Sequence, residues 1–175
     1  MKTIRLSGIC PNSLVNGEGM RKVYFAQGCK HNCKGCFSPF THNFNGGEER
    51  ELDDEIIETL QDPLIKGVTF SGGDPFEQAD EFNYMANVFK YSNLSIWCYT
   101  GYTFEEIMNS DDNDKIKLLQ NVDVLVDGKF MEEYVEEGLR YRGSKNQRII
   151  DVQRTICEGK IVLLHFDDIG YLEEE

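Results

Sequence analysis

Three cysteines, Cys29, Cys33 and Cys36, stand at Cys-x3-Cys-x2-Cys spacing with no fourth cysteine nearby. Thiolates at such offsets can gather around a metal centre. A set that stops at three leaves one coordination position open, which suits a reactive iron–sulfur cluster, whereas a structural site is closed. A zinc ion completed by His31, His42 or a distant cysteine meets the same spacing, so spacing alone leaves both metals open. A second candidate is Ser71-Gly72-Gly73-Asp74-Pro75, directly after the short apolar run at 67–70. Paired glycines at a strand end let backbone groups approach a ligand without Cβ hindrance, and the Asp74 carboxylate can accept hydrogen bonds from an ammonium group. The same residues also fit a turn that leads into a helix.

The surroundings narrow the classes of function. The chain has 175 residues, about 40% of them apolar, enough for one domain with a real core, so residues 1–175 are read as a single unit. No apolar run approaches the ~20 residues of a membrane span, and the N-terminus lacks the apolar stretch of a signal peptide. The expectation is a cytoplasmic protein with no membrane partner. In that compartment cysteines serve as metal ligands or remain reduced, so Cys10, Cys98 and Cys157 are expected to be buried or free thiols. A net charge of −13 argues against nucleic acid or anionic lipid as a partner. The charge is uneven, however: residues 19–47 contain no Asp or Glu but hold Arg21, Lys22, Lys30 and Lys34. This stretch reads as a basic island around the cysteine loop. It suits docking of a small acidic electron carrier, and equally a simple offset of cluster charge.

The elements that must position these residues alternate between strand and helix. Residues 4–9 and 21–27 have β-type patterns on either side of a Gly- and Asn-rich turn. Leu52, Ile56, Ile57 and Leu60 recur at helical spacing, and Pro63 follows. Residues 67–70 read as a strand, 77–91 as a helix with Phe82, Met85, Ala86 and Phe89 on one side, and 94–99 as a strand. Residues 104–108 and 115–120 read as helices, Val122, Val124 and Val126 alternate, and 161–164 is a last apolar run that suits a buried strand. His165, inside the wider apolar stretch 161–166, is expected to be a core histidine, and Asp127 at a strand end a structural or site residue. This order implies an α/β fold with a mainly parallel sheet and right-handed crossovers. A full eight-unit barrel needs ~250 residues, so only part of one fits, and an active site belongs at the C-terminal edge of the strands.

At its cysteine loop the chain resembles the radical S-adenosylmethionine (SAM) superfamily, whose signature is Cys-x3-Cys-x2-Cys followed by an aromatic residue, here Phe37. Gly72-Gly73-Asp74 is similar to that superfamily's Gly-Gly-Glu motif, with a carboxylate one methylene shorter. Within the superfamily the chain is similar to the activating enzymes of anaerobic (class III) ribonucleoside-triphosphate reductase. The blocks that carry this likeness run in order through most of the sequence: Val15-Asn16-Gly17-Glu18-Gly19, Tyr24-Phe25-Ala26-Gln27-Gly28, Ser71-Gly72-Gly73-Asp74-Pro75-Phe76-Glu77-Gln78, Tyr99-Thr100-Gly101-Tyr102, Val124-Leu125-Val126-Asp127-Gly128 and Gly143-Ser144-Lys145-Asn146-Gln147-Arg148. The resemblance implies an open, partial (β/α) barrel. It also implies a 4Fe-4S cluster on Cys29, Cys33 and Cys36, with SAM chelating the fourth iron. In that reading Gly35 and Phe37 contact the adenine, and Gly72, Gly73 and Asp74 hold the methionine end. Tyr99 and Thr100 are further SAM-binding candidates, while Asn146, Gln147 and Arg148 receive no role. One-electron cleavage of SAM would form a 5′-deoxyadenosyl radical, which would abstract hydrogen from a glycine of the reductase. The electron would come from a flavodoxin- or ferredoxin-type donor. A formate-lyase-type target, a small-molecule substrate and a non-catalytic metal-binding module are the competing readings.

The spacing makes a direct demand. Replacing Cys29, Cys33 or Cys36 with Ala should abolish SAM cleavage, measured as release of 5′-deoxyadenosine, while replacing Cys10, Cys98 or Cys157 should leave it intact. Cleavage retained without one of the first three would contradict the assignment.

Overall fold

Alternating side chains divide the two faces of a single sheet. The computed structural model describes residues 1–168 and contains seven strands: β1 Thr3–Ser13, β2 Arg21–Ala26, β3 Glu48–Glu51, β4 Gly67–Gly72, β5 Ser95–Tyr99, β6 Val124–Asp127 and β7 Arg148–Asp151. Their order is β3-β1-β2-β4-β5-β6-β7, and the sheet is open. The four central strands β2, β4, β5 and β6 are mutually parallel, while β1, β3 and β7 pair antiparallel at the two sides. The expected α/β class and parallel centre are therefore present. Five helices complete the fold: α1 Leu52–Leu60, α2 Ala79–Tyr91, α3 Phe104–Met108, α4 Asn113–Asn121 and α5 Val152–Glu158.

Tyr24, Ala26, Val68, Phe70, Ile96, Cys98, Leu125 and Ile150 share one core cluster with the apolar faces of the helices. Phe82, Met85, Ala86 and Phe89 of α2 lie fully inside it, as their spacing requires. On the opposite face Trp97, Val126 and Ile149 form a smaller cluster with Tyr99, Tyr141 and Phe166. Arg21 also points to that second face and is 1% exposed. Its guanidinium donates to Thr69 Oγ1, Ser95 Oγ and the carbonyls of Glu18, Val68 and Ser95 at 2.7–2.8 Å, which satisfies a buried cation without a carboxylate contact. Burial still lowers its pKa, to about 10.

Several expectations need correction. Ile57 and Leu60 of α1 are exposed; the buried face is Leu52, Glu55, Ile56 and Thr59. Tyr24 explains the shift, because its hydroxyl hydrogen-bonds Thr59 and donates to the Glu55 carbonyl, drawing polar residues inward. Residues 161–164 form no buried strand: only an isolated bridge joins Leu163 to Ile150, and His165 is exposed rather than in the core. The basic island is also smaller than it reads. Arg21 is buried and the Lys22 side chain is 6% exposed, both at the start of β2, so only Lys30 and Lys34 accompany the cysteines. β3, with the sequence Glu-Glu-Arg-Glu, has no apolar alternation to announce it, as befits a charged edge strand. Among the described residues no helix is long and apolar enough to cross a membrane.

Candidate active site

All four parallel strands deliver their C-terminal ends to one cavity of about 320 Å³. β2 leads to Cys29, Cys33 and Cys36; β4 supplies Ser71, Gly72 and Gly73; β5 supplies Tyr99 and Thr100; β6 leads to Gly128. This is where parallel sheets place ligands, because the connecting loops diverge there. Phe37 lines the cavity too, with its ring 4.8 Å from that of Phe130.

The cysteine loop is fixed by backbone and amide hydrogen bonds rather than by regular structure. The Gly28 N–H donates to the Thr41 carbonyl, and the buried Gln27 amide donates to the carbonyls of Phe40 (2.9 Å) and Asn43 (2.6 Å). The second motif grips the entrance to the loop: Gly73 N–H donates to Ala26 O and Asp74 N–H to Gly28 O, each at 2.8 Å. Such close approach needs Gly73, since a Cβ there would collide with the Gly28 carbonyl.

The donor set suits thiolate ligands. The three cysteines are all partly exposed and unbridged. Cys36 Sγ accepts from the Ser38 N–H at 3.4 Å; burial raises the pKa of the Cys29 and Cys33 thiols, and nearby backbone at His31 and Phe130 works against it. Amides aimed at sulfur stabilise the anion and tune the potential of a bound cluster. Among the described residues no three His, Cys, Asp or Glu side chains close around a point that could hold a single metal ion. The thiols instead border a shared cavity, and a cubane would take each of them on a different iron. His31 does not face the thiols as a fourth ligand but turns to Asp74, and His42 is absent from the cavity wall.

Asp74 is the largest departure from expectation. It is 0% exposed and does not line the cavity. Its Oδ1 accepts from Phe76 N–H (3.0 Å), and its Oδ2 from His31 Nε2 (2.6 Å) and Gly101 N–H (3.0 Å); the Thr100 hydroxyl lies 3.0 and 2.9 Å from the two oxygens. A carboxylate only accepts, so His31 must carry its proton on Nε2. A parallel link joins Lys30 Nζ to Glu77 Oε2 at 3.3 Å, and Glu77 in turn hydrogen-bonds the Tyr102 hydroxyl. Burial, followed by that contact, raises the Tyr102 pKa. Lys30 and His31, the two residues after Cys29, are thus tied to the carboxylates of Glu77 and Asp74.

Other residues act from outside the cavity. Gly35 has φ +73° and sits against Glu132, which a Cβ would meet at 2.9 Å; it is not part of the wall. Asp127 accepts from Phe104 N–H (2.8 Å) and from Arg148 Nε and Nη2 (3.0 and 2.6 Å), and Arg148 also bridges to Glu105. Those bonds, Asp127 first, raise the Arg148 pKa. Gln147 accepts from Gly143 N–H and donates to the Gly128 carbonyl, and Asn146 donates to the Lys129 carbonyl. The Asn146-Gln147-Arg148 block therefore closes the excursion at 128–147, which carries Phe130 against the cysteine loop. Asn16, Ser71, Phe130, Gly143 and Gln147 line the cavity without having been singled out as ligand-binding residues. Asn16, Ser71, Gly143 and Gln147 stood out only by their place in the sequence blocks, and nothing in the sequence marked Phe130.

This arrangement defines a class: an α/β protein built around one iron–sulfur cluster site. The family model for a 4Fe-4S single cluster domain matches residues 15–150. The particular family follows from curated relatives. The chain is 40% identical over 147 residues to the anaerobic ribonucleoside-triphosphate reductase-activating protein of Vibrio cholerae, covering 79% of this chain and 92% of that one. The protein of that name from Escherichia coli K12 is 34% identical over 145 residues (78% and 92%), and that of Enterobacteria phage T4 is 35% identical over 147 residues (81% and 90%). The chain belongs to this family of reductase-activating proteins.

Burial, the leading influence, raises the Cys29 thiol to about 11, against a backbone hydrogen bond from His31 that lowers it. At pH 8 this thiol is protonated in the metal-free protein, and a ligating iron must displace the proton. Iodoacetamide should therefore modify Cys29 about tenfold or more slowly than exposed Cys157 at pH 8, followed by peptide mass spectrometry, with the gap narrowing as pH rises towards 11. Equal rates at pH 8 would contradict the buried setting of Cys29.

Proposed function

We propose that this protein activates anaerobic ribonucleoside-triphosphate reductase by generating a glycyl radical on it. The observation that carries the reading is the convergence of three partly exposed thiols with a Gly-Gly strand end on one cavity at the C-terminal edge of a parallel sheet. Family membership names the partner class. When bound, a reduced 4Fe-4S cluster and SAM supply one-electron cleavage to methionine and a 5′-deoxyadenosyl radical, which takes a glycine hydrogen to leave 5′-deoxyadenosine and a glycyl radical.

The chain's own residues bind, orient and shield. Cys29, Cys33 and Cys36 would hold three irons, leaving the fourth for SAM. Gly72 and Gly73, which border the cavity, would receive the methionine end through backbone groups. Phe37, 74% exposed and braced by Phe130, would lie along the adenine, with Tyr99 and Thr100 as further wall residues. Gly35 would serve by turning the loop between Cys33 and Cys36. Parallel β2, β4, β5 and β6 support the open, partial barrel of radical SAM type, with residues 1–175 as one domain. The electron would come from a flavodoxin- or ferredoxin-type protein at the rim carrying Lys34, where Lys30 is already engaged by Glu77. The working compartment in this reading is the cytoplasm, where thiols stay reduced.

Anaerobic mixing with SAM, a reductant and the cognate reductase should give a glycyl-radical doublet in electron paramagnetic resonance. SAM consumption without a protein radical, accompanied by modification of a small molecule, would overturn this function.

A further inference from the structure

The expected use of Asp74, as an acceptor for the ammonium group of SAM, conflicts with its setting. That role needs an oxygen open to the cavity, yet the side chain is fully buried and both oxygens already have partners. The partners come from three separate strand-end loops. Phe76 follows β4, Thr100 and Gly101 follow β5, and His31 lies between Cys29 and Cys33 after β2. The bond to Phe76 is a two-residue side-chain turn that caps the short helix Pro75–Gln78, a reach that suits Asp and not the longer Glu.

His31 is the member that belongs to the cysteine loop. Its side chain is 7% exposed, its ring lies edge-on to Tyr102 at 4.5 Å, and a Cβ on Gly101 would come within 2.5 Å of it. A ring packed this closely and bonded at 2.6 Å fixes where the segment between Cys29 and Cys33 sits relative to Gly72-Gly73. We propose that His31 is a positioning residue for SAM: through Asp74 it sets the register between the cysteine loop, which presents the cluster, and the glycine pair, which takes the methionine end. Asp74 then acts on SAM through the protein and not by contact. The inference rests on the functional reading above, because it presumes that SAM bridges the two motifs.

The test compares SAM dissociation constants, read from the change in the electron paramagnetic resonance signal of the reduced cluster, in wild type, His31→Ala, His31→Gln and Asp74→Glu. His31→Ala should hold iron and sulfide at wild-type stoichiometry but bind SAM about 10- to 150-fold more weakly, the range for one lost charge-assisted hydrogen bond. His31→Gln, whose amide N–H can replace Nε2–H, should recover most of the affinity. Asp74→Glu, which a direct ammonium contact would tolerate, should be impaired like His31→Ala. A deaminated SAM analogue should be weakened by His31→Ala by the same factor as SAM itself. Wild-type affinity in His31→Ala, no recovery in His31→Gln, wild-type affinity in Asp74→Glu, or failure of His31→Ala to assemble a cluster would each overturn the inference. Wild-type protein that does not bind SAM would bring down the functional reading and this inference together, whereas wild-type binding unaffected by His31→Ala brings down the inference alone.

Discussion

The buried carboxylate of Asp74 is the constraint on which the site depends. A charge removed from water is tolerable only when its lone pairs are taken, and here two backbone amides, a hydroxyl and an imidazole take them. Because the donors come from the ends of three parallel strands, satisfying one carboxylate fixes three loops together. The small residues nearby follow from the same demand. Gly73 must pass the Gly28 carbonyl and Gly101 must pass the His31 ring, and a side chain at either point would force the loops apart. Low dielectric strengthens these bonds and raises the cost of leaving any unmade, so the knot forms as a whole.

A second layer closes the cavity from the other side. The excursion between β6 and β7 is held at its base by Asp127, Arg148 and Glu105 and cross-stapled by Gln147 and Asn146. It brings Phe130 to the cysteine loop, with its ring against that of Phe37. The cysteine loop is therefore gripped by the second motif from within and by this excursion from without, although its only regular structure is the short turn Pro39–Thr41.

The sequence made much of this legible, for identifiable reasons. Cysteine spacing is local, so the three thiols that share the cavity could be picked out directly. The helical stripe of Phe82, Met85, Ala86 and Phe89 and the apolar strands at 67–70 and 94–99 follow from period alone. What escaped was set by long-range partners. Asp74 has the residue type of a ligand contact, and only His31, 43 positions away in sequence, reveals that it faces inward. Arg21 and Lys22 carry charge on paper, but their placement at the opposite end of β2 takes them out of the cysteine-loop surface. Ile57 looked like core until the Tyr24 hydroxyl, an acceptor-seeking group on another element, turned α1. Asn146, Gln147 and Arg148 had no pattern to read, because their partners are backbone carbonyls and carboxylates of distant segments.

The claim that one carboxylate joins three loops is tested most directly by amide hydrogen exchange, comparing wild-type holoprotein with Asp74→Asn. The account predicts faster exchange at residues 28–33, 73–77 and 100–103 together, with α1 to α5 unchanged. Acceleration confined to 74–77, or none at all, would contradict it and reduce Asp74 to the cap of a single turn.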